Sequence, residues 1–299
     1  MTARNLHAEI TARIVSLLDQ GTIPWKQPWS NYAATVSTGS AMPHNAITGR
    51  AYSGANVALL WATAMERGYT TQKWLTFKQA IEAGGAVRKG EKGTTVVFTS
   101  TFEKNEEESD EKKRIAFLKA FTVFNIAQID GLKADLEPVA PKPRHQDARQ
   151  DDVEAFLAST GADIRHGEAR AYYTTGGDYI MLPAFESFQG ASSYYATAFH
   201  ELTHWTGAEH RLNRTFGKRF GDSAYAAEEL VAELGSAFIC AEFGLDNDTI
   251  DNSAAYLEHW MQALKKDERL FVAAASAASK AVEFMRGLAL SSEEEKLAA

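Results

Sequence analysis

One cysteine, Cys240, is present in 299 residues, so an intramolecular disulfide is excluded and a reducing compartment is expected. Long hydrophobic runs are also missing, since nothing approaches the roughly 18 apolar residues of a membrane-spanning helix. The first residues, Met1 to Gln20, are not expected to form a secretory signal, because Glu9, Arg13 and Asp19 interrupt any apolar segment. These absences predict a soluble, cytoplasmic protein with no membrane contact. Positive charge is scarce as well. The chain carries 31 Lys and Arg against 39 Asp and Glu, a net charge of −8, which at first argues against a nucleic-acid partner.

The average hides an asymmetry. Residues 1–102 hold ten basic and five acidic residues, a balance of +5, and residues 1–135 still reach +3 with the acidic run Glu103–Glu111 included. Residues 136–299 carry −11. Length alone suggests two domains of ordinary size. Proline, also scarce at seven residues, is concentrated between them, with Pro138, Pro141 and Pro143 followed by the polar stretch His145–Asp152. This reads as a linker. The expectation is an α+β protein with a first domain at 1–135, a linker at 136–152 and a mostly helical second domain with a small sheet at 153–299.

Periodicity fills in the elements. Leu6, Ile10, Ile14, Leu17 and Leu18 share one helical face, a second helix covers Asn56 to Arg67, and Thr76 is placed to cap a third from Phe77 to Ala83. Thr94–Phe102 and Ala116–Asn125 have strand composition, with the polar run Glu103–Arg114 as a loop between them. Tyr172–Tyr173 and Asp178–Leu182 flank Gly176-Gly177 as a hairpin. Helices follow from about Ser192 to Thr206, Tyr225 to Phe243, Ser253 to Leu264 and Glu268 to Leu288.

His200-Glu201-Leu202-Thr203-His204 lies within the predicted helix that ends at Gly207. A spacing of four puts both imidazoles on one face, within reach of a single Zn²⁺, and lets Glu201 act as general base. Mn²⁺ is the alternative divalent metal. A third ligand is needed. His210 completes one known spacing, H-E-x-x-H-x-x-G-x-x-H, but the methionine turn that accompanies it is not evident. The next helix instead offers Glu228, Glu229 and Glu233. Of these, Glu229 is the leading ligand, and a neighbouring glutamate would orient a histidine from behind. Tyr225 is a candidate oxyanion donor.

These segments, with Arg211-Leu212-Asn213-Arg214 and Tyr225-Ala226-Ala227-Glu228-Glu229-Leu230-Val231-Ala232-Glu233, resemble the metallopeptidase domain of ArdC-type antirestriction proteins. In the first half, Trp25-Lys26-Gln27-Pro28-Trp29, Tyr52-Ser53-Gly54-Ala55-Asn56, Trp74-Leu75-Thr76-Phe77-Lys78-Gln79, Val87-Arg88-Lys89-Gly90-Glu91-Lys92-Gly93 and Val123-Phe124-Asn125-Ile126-Ala127-Gln128 resemble that family's N-terminal domain, which plasmid TraC-type primases share. The resemblance implies a single-stranded-DNA-binding domain joined to a zincin-like domain. It also implies protection of incoming plasmid DNA from host restriction during conjugation, and it favours a glutamate of the second helix over His210 as third ligand.

Single strands are held by aromatic faces that stack on bases and by cations that follow phosphates. Trp25, Lys26, Trp29, Lys73, Trp74, Arg88, Lys89 and Lys92 are the candidates for this role. The leading functional reading joins DNA binding to a metal-dependent peptidase with an unidentified protein substrate. The alternative is DNA coating alone over a structural metal site. A nuclease is disfavoured, because no aspartate-rich site for two Mg²⁺ ions is evident.

Overall fold

The computed structural model describes residues 4–26, 41–105, 112–133, 136, 148–217, 223–247 and 253–298. It is an assembly of helices and small sheets, as expected. Helix α1 (Leu6–Asp19) buries the predicted stripe, and the Asn5 side chain caps it by accepting the Ala8 N–H. Helix α2 (Ala55–Arg67) ends at Gly68, whose φ of 64° is the left-handed conformation that terminates helices. Thr76 and Gln79 form a reciprocal capping box at the start of α3 (Phe77–Glu82).

The strands of this half are β1 (His44–Asn45), β2 (Lys73–Thr76), β3 (Ala86–Val87), β4 (Thr94–Asn105), β5 (Lys112–Asn125) and β6 (Ile129–Asp130). Four form a sheet in the order β1-β2-β5-β4, and β3 pairs with β6. The β4–β5 ladder runs without interruption to Asn105 opposite Lys112, so half of the polar run read as a loop, residues 103–105 and 112–114, is strand. Charged side chains do not stop a ladder whose backbone groups pair regardless of side-chain polarity. The tip, 106–111, lies outside the described residues. At the edge, the Asn56 amide bonds both backbone groups of Val97 at 2.7 Å, which blunts β4 against pairing with another chain.

The second half opens with α4 (Asp151–Ser159) and β7 (Asp163–His166). The predicted hairpin follows as β8 (Tyr172–Thr174) and β9 (Tyr179–Leu182). The sheet order β7-β9-β8 leaves β8 at an edge. Helices α5 (Ala191–Thr206), α6 (Ser223–Phe243), α7 (Ser253–Lys266) and α8 (Leu270–Ala298) complete it. No helix among the described residues is long and apolar enough to cross a membrane. Most of the expected linker, 137–147, lies outside the described residues.

One hydrophobic cluster runs through both halves. It joins Leu6, Ile10, Ile14, Trp25 and Trp61 to Phe199, Leu230, Phe238, Trp260 and Phe271. The apolar stripe of α1 packs against α7 and α8, and Trp25 meets Trp260 and Phe271 at ring-centroid distances of 5.9 Å.

Helices α5 and α6 cross closely because Gly235 faces Thr203. A Cβ at Gly235 would stand 2.6 Å from the Thr203 side chain. Thr203 cannot rotate away freely, because its hydroxyl donates to the Phe199 carbonyl at 2.7 Å. We expect Gly235→Ala to destabilise the fold by about 1–3 kcal/mol through overpacking. Adding Thr203→Ala should recover most of that loss. Urea denaturation of the single and double variants checks this, and additive losses would disprove the contact.

Candidate metal centre

Helix α5 is buried along nearly its whole length, its own Tyr194, Tyr195, Ala198, Phe199, Leu202 and Trp205 all packed into the core. A helix apolar all round belongs inside a domain, so its polar residues need partners there. Among those residues are His200, Glu201 and His204, and α6 faces them with Glu228, Glu229 and Glu233. All three glutamates are at most 8% exposed, so they do not form a solvated acidic face.

His200, His204 and Glu229 converge. The two imidazole Nε2 atoms are 3.2 Å apart, and Glu229 presents Oε2 to His200 at 3.5 Å and Oε1 to His204 at 3.6 Å. Donors about 2.1 Å from one tetrahedral ion stand about 3.4 Å from each other, so the spacing fits a shared divalent cation. The electrostatics agree. Burial opposes protonation of His200, yet Glu229, Glu201 and Glu233 push it up to about 9. Burial likewise opposes ionisation of Glu229, but hydrogen bonding to His200, both imidazole charges and the Tyr225 hydroxyl bring it down to about 2. The pocket is a field that favours positive charge.

The other two glutamates stand behind the histidines. Glu228 Oε1 lies 3.2 Å from His204 Nδ1, which fixes a tautomer with Nδ1–H donating and Nε2 free to ligate. Arg214 holds Glu228 in place at 2.8 and 3.0 Å. The same guanidinium donates to the Thr203 carbonyl at 2.6 Å and the Thr206 hydroxyl at 2.8 Å, closing the C-terminus of α5. Glu233 Oε1 is 3.9 Å from His200 Nδ1. Glu201 is buried, which pushes its carboxyl above the ordinary range while both histidines pull against it, and the Tyr173 backbone N–H donates to it.

His210 is not part of this group. It is exposed and lies 3.3 Å from Asp178, beside Arg211. Arg211 stacks over Trp205 at 3.8 Å, donates to the Trp205 carbonyl at 2.6 Å and pairs with Asp178. Asp178 also accepts from the Tyr173 hydroxyl at 2.9 Å, so the β8–β9 turn is tied to the end of α5. Sequence reasoning missed the roles of Arg214, Arg211, Tyr173 and Asp178. The paired arginines after Gly207 were the available signal. The centre opens into a cleft of about 700 Å³, lined among others by Tyr172, Tyr173, Thr174, Phe216 and Tyr225.

The candidate DNA contacts are scattered. Trp25 and Trp74 are fully buried, Trp25 in the main core and Trp74 beside Leu60, Val96 and Val123. A ring with no accessible face cannot stack on a base, so these two assignments are corrected. Trp29 lies outside the described residues, and Lys26 is half-buried. Lys73 Nζ lies 3.4 Å from the Leu136 carbonyl. Arg88 is engaged by Glu91 at 2.9 Å and Asp130 at 3.2 Å, whereas Lys89 and Lys92 are exposed.

Comparison with known proteins agrees with this layout. A family described as the N-terminal domain of anti-restriction factor ArdC matches residues 4–124, and one described as zincin-like metallopeptidase matches residues 151–277. The metal-free crystal structure of antirestriction protein ArdC from plasmid R388 is 43% identical with a TM-score of 0.81, covering 96% of this chain and 99% of that one. The Mn(II)-bound structure, also 43% identical, gives a TM-score of 0.77 over 96% and 98%. Uncharacterized protein y4eC of Sinorhizobium fredii is 36% identical over 291 residues, 95% of this chain and 92% of its own length. DNA primase TraC of Escherichia coli is 37% identical over 298 residues, which cover 93% of this chain but 27% of the primase. A zincin-like domain implies a divalent metal, and two family matches in this order, with near-complete coverage of a 43% identical ArdC, mean that the chain belongs to the ArdC antirestriction family.

Proposed function

We propose that the protein binds single-stranded DNA and carries a zinc-dependent peptidase, and that it protects incoming plasmid DNA from host restriction during conjugation. The observation that carries the peptidase reading is the convergence of His200, His204 and Glu229 beside Glu201 in an open cleft. A purely structural metal has no use for a buried carboxylate next to an accessible position. In this reading His200, His204 and Glu229 hold the ion, and Mn²⁺ suits the same donors. When bound, the ion polarises the scissile carbonyl and brings the pKa of water to about 7.

The chain's own residues do the rest. Glu201 accepts a proton from the attacking water and returns it to the leaving amine, a role suited to a carboxyl raised by burial. Glu228, held by Arg214, keeps His204 in the ligating tautomer. Edge strand β8 borders the cleft, and unpaired backbone groups on such an edge can hold an extended peptide. Tyr225, hydrogen-bonded to Glu229 at the cleft wall, is the candidate oxyanion donor. The DNA reading is supported by the N-terminal family match, by the primase among the relatives, and by the +5 balance of residues 1–102. Lys89 and Lys92 remain exposed candidates for phosphate contact.

Adding Zn²⁺ or Mn²⁺ at about 100 times Kd should stabilise the metal-free protein by about 2.7 kcal/mol. Thermal unfolding should show that Glu229→Gln loses this gain and His210→Ala keeps it; the reverse pattern would overturn the ligand assignment. Glu201→Gln should retain the metal-induced shift and DNA binding while cleavage of fluorogenic casein falls by roughly 10²–10⁴-fold. Equal cleavage by the variant would remove the general base, and no cleavage by wild type, with or without single-stranded DNA, would leave coating alone. Binding of labelled single strands should weaken steeply with salt and exceed duplex binding. Fluorescence anisotropy from 50 to 300 mM NaCl checks this, and equal affinity for both forms counts against the reading.

A further inference from the structure

With Trp25 and Trp74 buried, the β4–β5 ladder offers another surface for stacking among the described residues. Phe98, Phe117 and Phe121 are 48%, 42% and 39% exposed, unusual for phenyl rings in strands. Register places Phe98 directly opposite Lys119. Phe117 and Phe121 flank Lys119 at two-residue spacing, so all four side chains lie on one face of the sheet. Contacts within the group agree. Phe98 and Phe121 meet edge to face at 5.3 Å, and Lys119 Nζ lies 5.2 Å from the Phe121 centroid.

The same face is covered nearer β2, where Val96 and Val123 are buried with Leu60 and Trp74. Further along it is bare. The opposite side of the ladder, at Val97, Leu118 and Ala120, packs into or against the main core. The strands therefore have an inner side occupied by protein and an outer side that presents three rings around an ammonium group.

We propose that this face is the stacking platform for single-stranded nucleic acid, with Phe98, Phe117 and Phe121 against bases and Lys119 near phosphate. The inference rests on the DNA-binding reading given above and names its site. Charge selects this occupant over a protein partner. Residues 92–105 and 112–129, which span both strands, contain six Lys and Arg against one acidic residue, Glu103. Phe117 and Phe121 on either side of Lys119 match the alternation of bases and phosphates along a single strand, whereas duplex DNA keeps its bases stacked inside.

The test is fluorescence anisotropy with a fluorescein-labelled dT20 strand and the full chain. Phe98→Ala, Phe117→Ala and Phe121→Ala should each weaken binding about 5-fold or more, the lower bound for losing one stacked base. Phe121→Tyr should restore affinity, because it keeps the ring, and Lys119→Ala should lower the salt dependence by about one counterion. Phe77→Ala, an equally exposed ring outside the group, should bind as wild type. Unfolding midpoints should fall only slightly and the metal-induced shift should be unchanged, because the substituted groups are partly exposed and lie outside the metal cluster. If wild type binds dT20 and the folded triple variant binds equally well, the platform is wrong while the DNA reading survives. If wild type binds no single strand at low salt, both fall.

Discussion

The close crossing of α5 and α6 is the constraint on which the centre depends. Two imidazoles four residues apart can point at one ion from any helix, but a third donor has to come from another element at a fixed height. Gly235 against Thr203 removes the side-chain layer that normally separates packed helices by 8–10 Å. Glu229, six residues earlier on α6, is thereby held beside both Nε2 atoms. The same approach buries Glu228 and Glu233, which makes their partners obligatory. Four carboxylates, counting Glu201, face two imidazoles and the Arg214 guanidinium, and this excess of negative charge in a poorly solvated pocket favours a divalent cation.

The segment after α5 then does two jobs with two arginines three residues apart. Arg214 turns back to close the helix end and hold Glu228, so that the tautomer of His204 depends on how α5 terminates. Gly207 permits that return, because a Cβ there would come within 2.8 Å of Arg214. Arg211 reaches the other way, over Trp205 to Asp178, whose φ of 49° places it in a tight turn. Asp178 fixes the β8–β9 hairpin, and Tyr173 of that hairpin contacts Glu201 through its backbone. The cleft edge and the helix bearing the ligands are thus one connected unit.

What the sequence revealed follows from the range of the interactions involved. His200, Glu201 and His204 are separated by one helical turn, so their spacing was readable directly. The helices were legible from period and capping, including the one in the first half that Thr76 caps. Choosing Glu229 from three clustered glutamates needed the rotation of α6 relative to α5, which the sequence leaves open and the Gly235 contact sets. The tryptophans misled for a related reason. Trp25 and Trp74 sit in polar or proline-rich surroundings, but their burial comes from Trp260 and Phe271 more than 200 positions away in one case and from α2 and the four-stranded sheet in the other. The exposed phenylalanines lay in segments correctly read as strands, and only register separated their bare face from the packed one.

The shared core bears on how the two proposed activities are related. If the halves met only through the proline-containing segment, DNA capture would raise the local concentration of the cleft with a freedom set by linker length. Here α1 instead packs on α7 and α8, and α2 contributes to the cluster that contains α5 and α6. The β4–β5 ladder joins this core through Val97, which Asn56 also fixes to α2. A strand held on the outer face of that ladder would stand in a defined relation to the cleft. Proteolysis guided by such a surface would then be limited to proteins bound within a fixed distance of the captured DNA. That gives a physical route from coating incoming DNA to selecting which protein is cut, without requiring sequence recognition in either half.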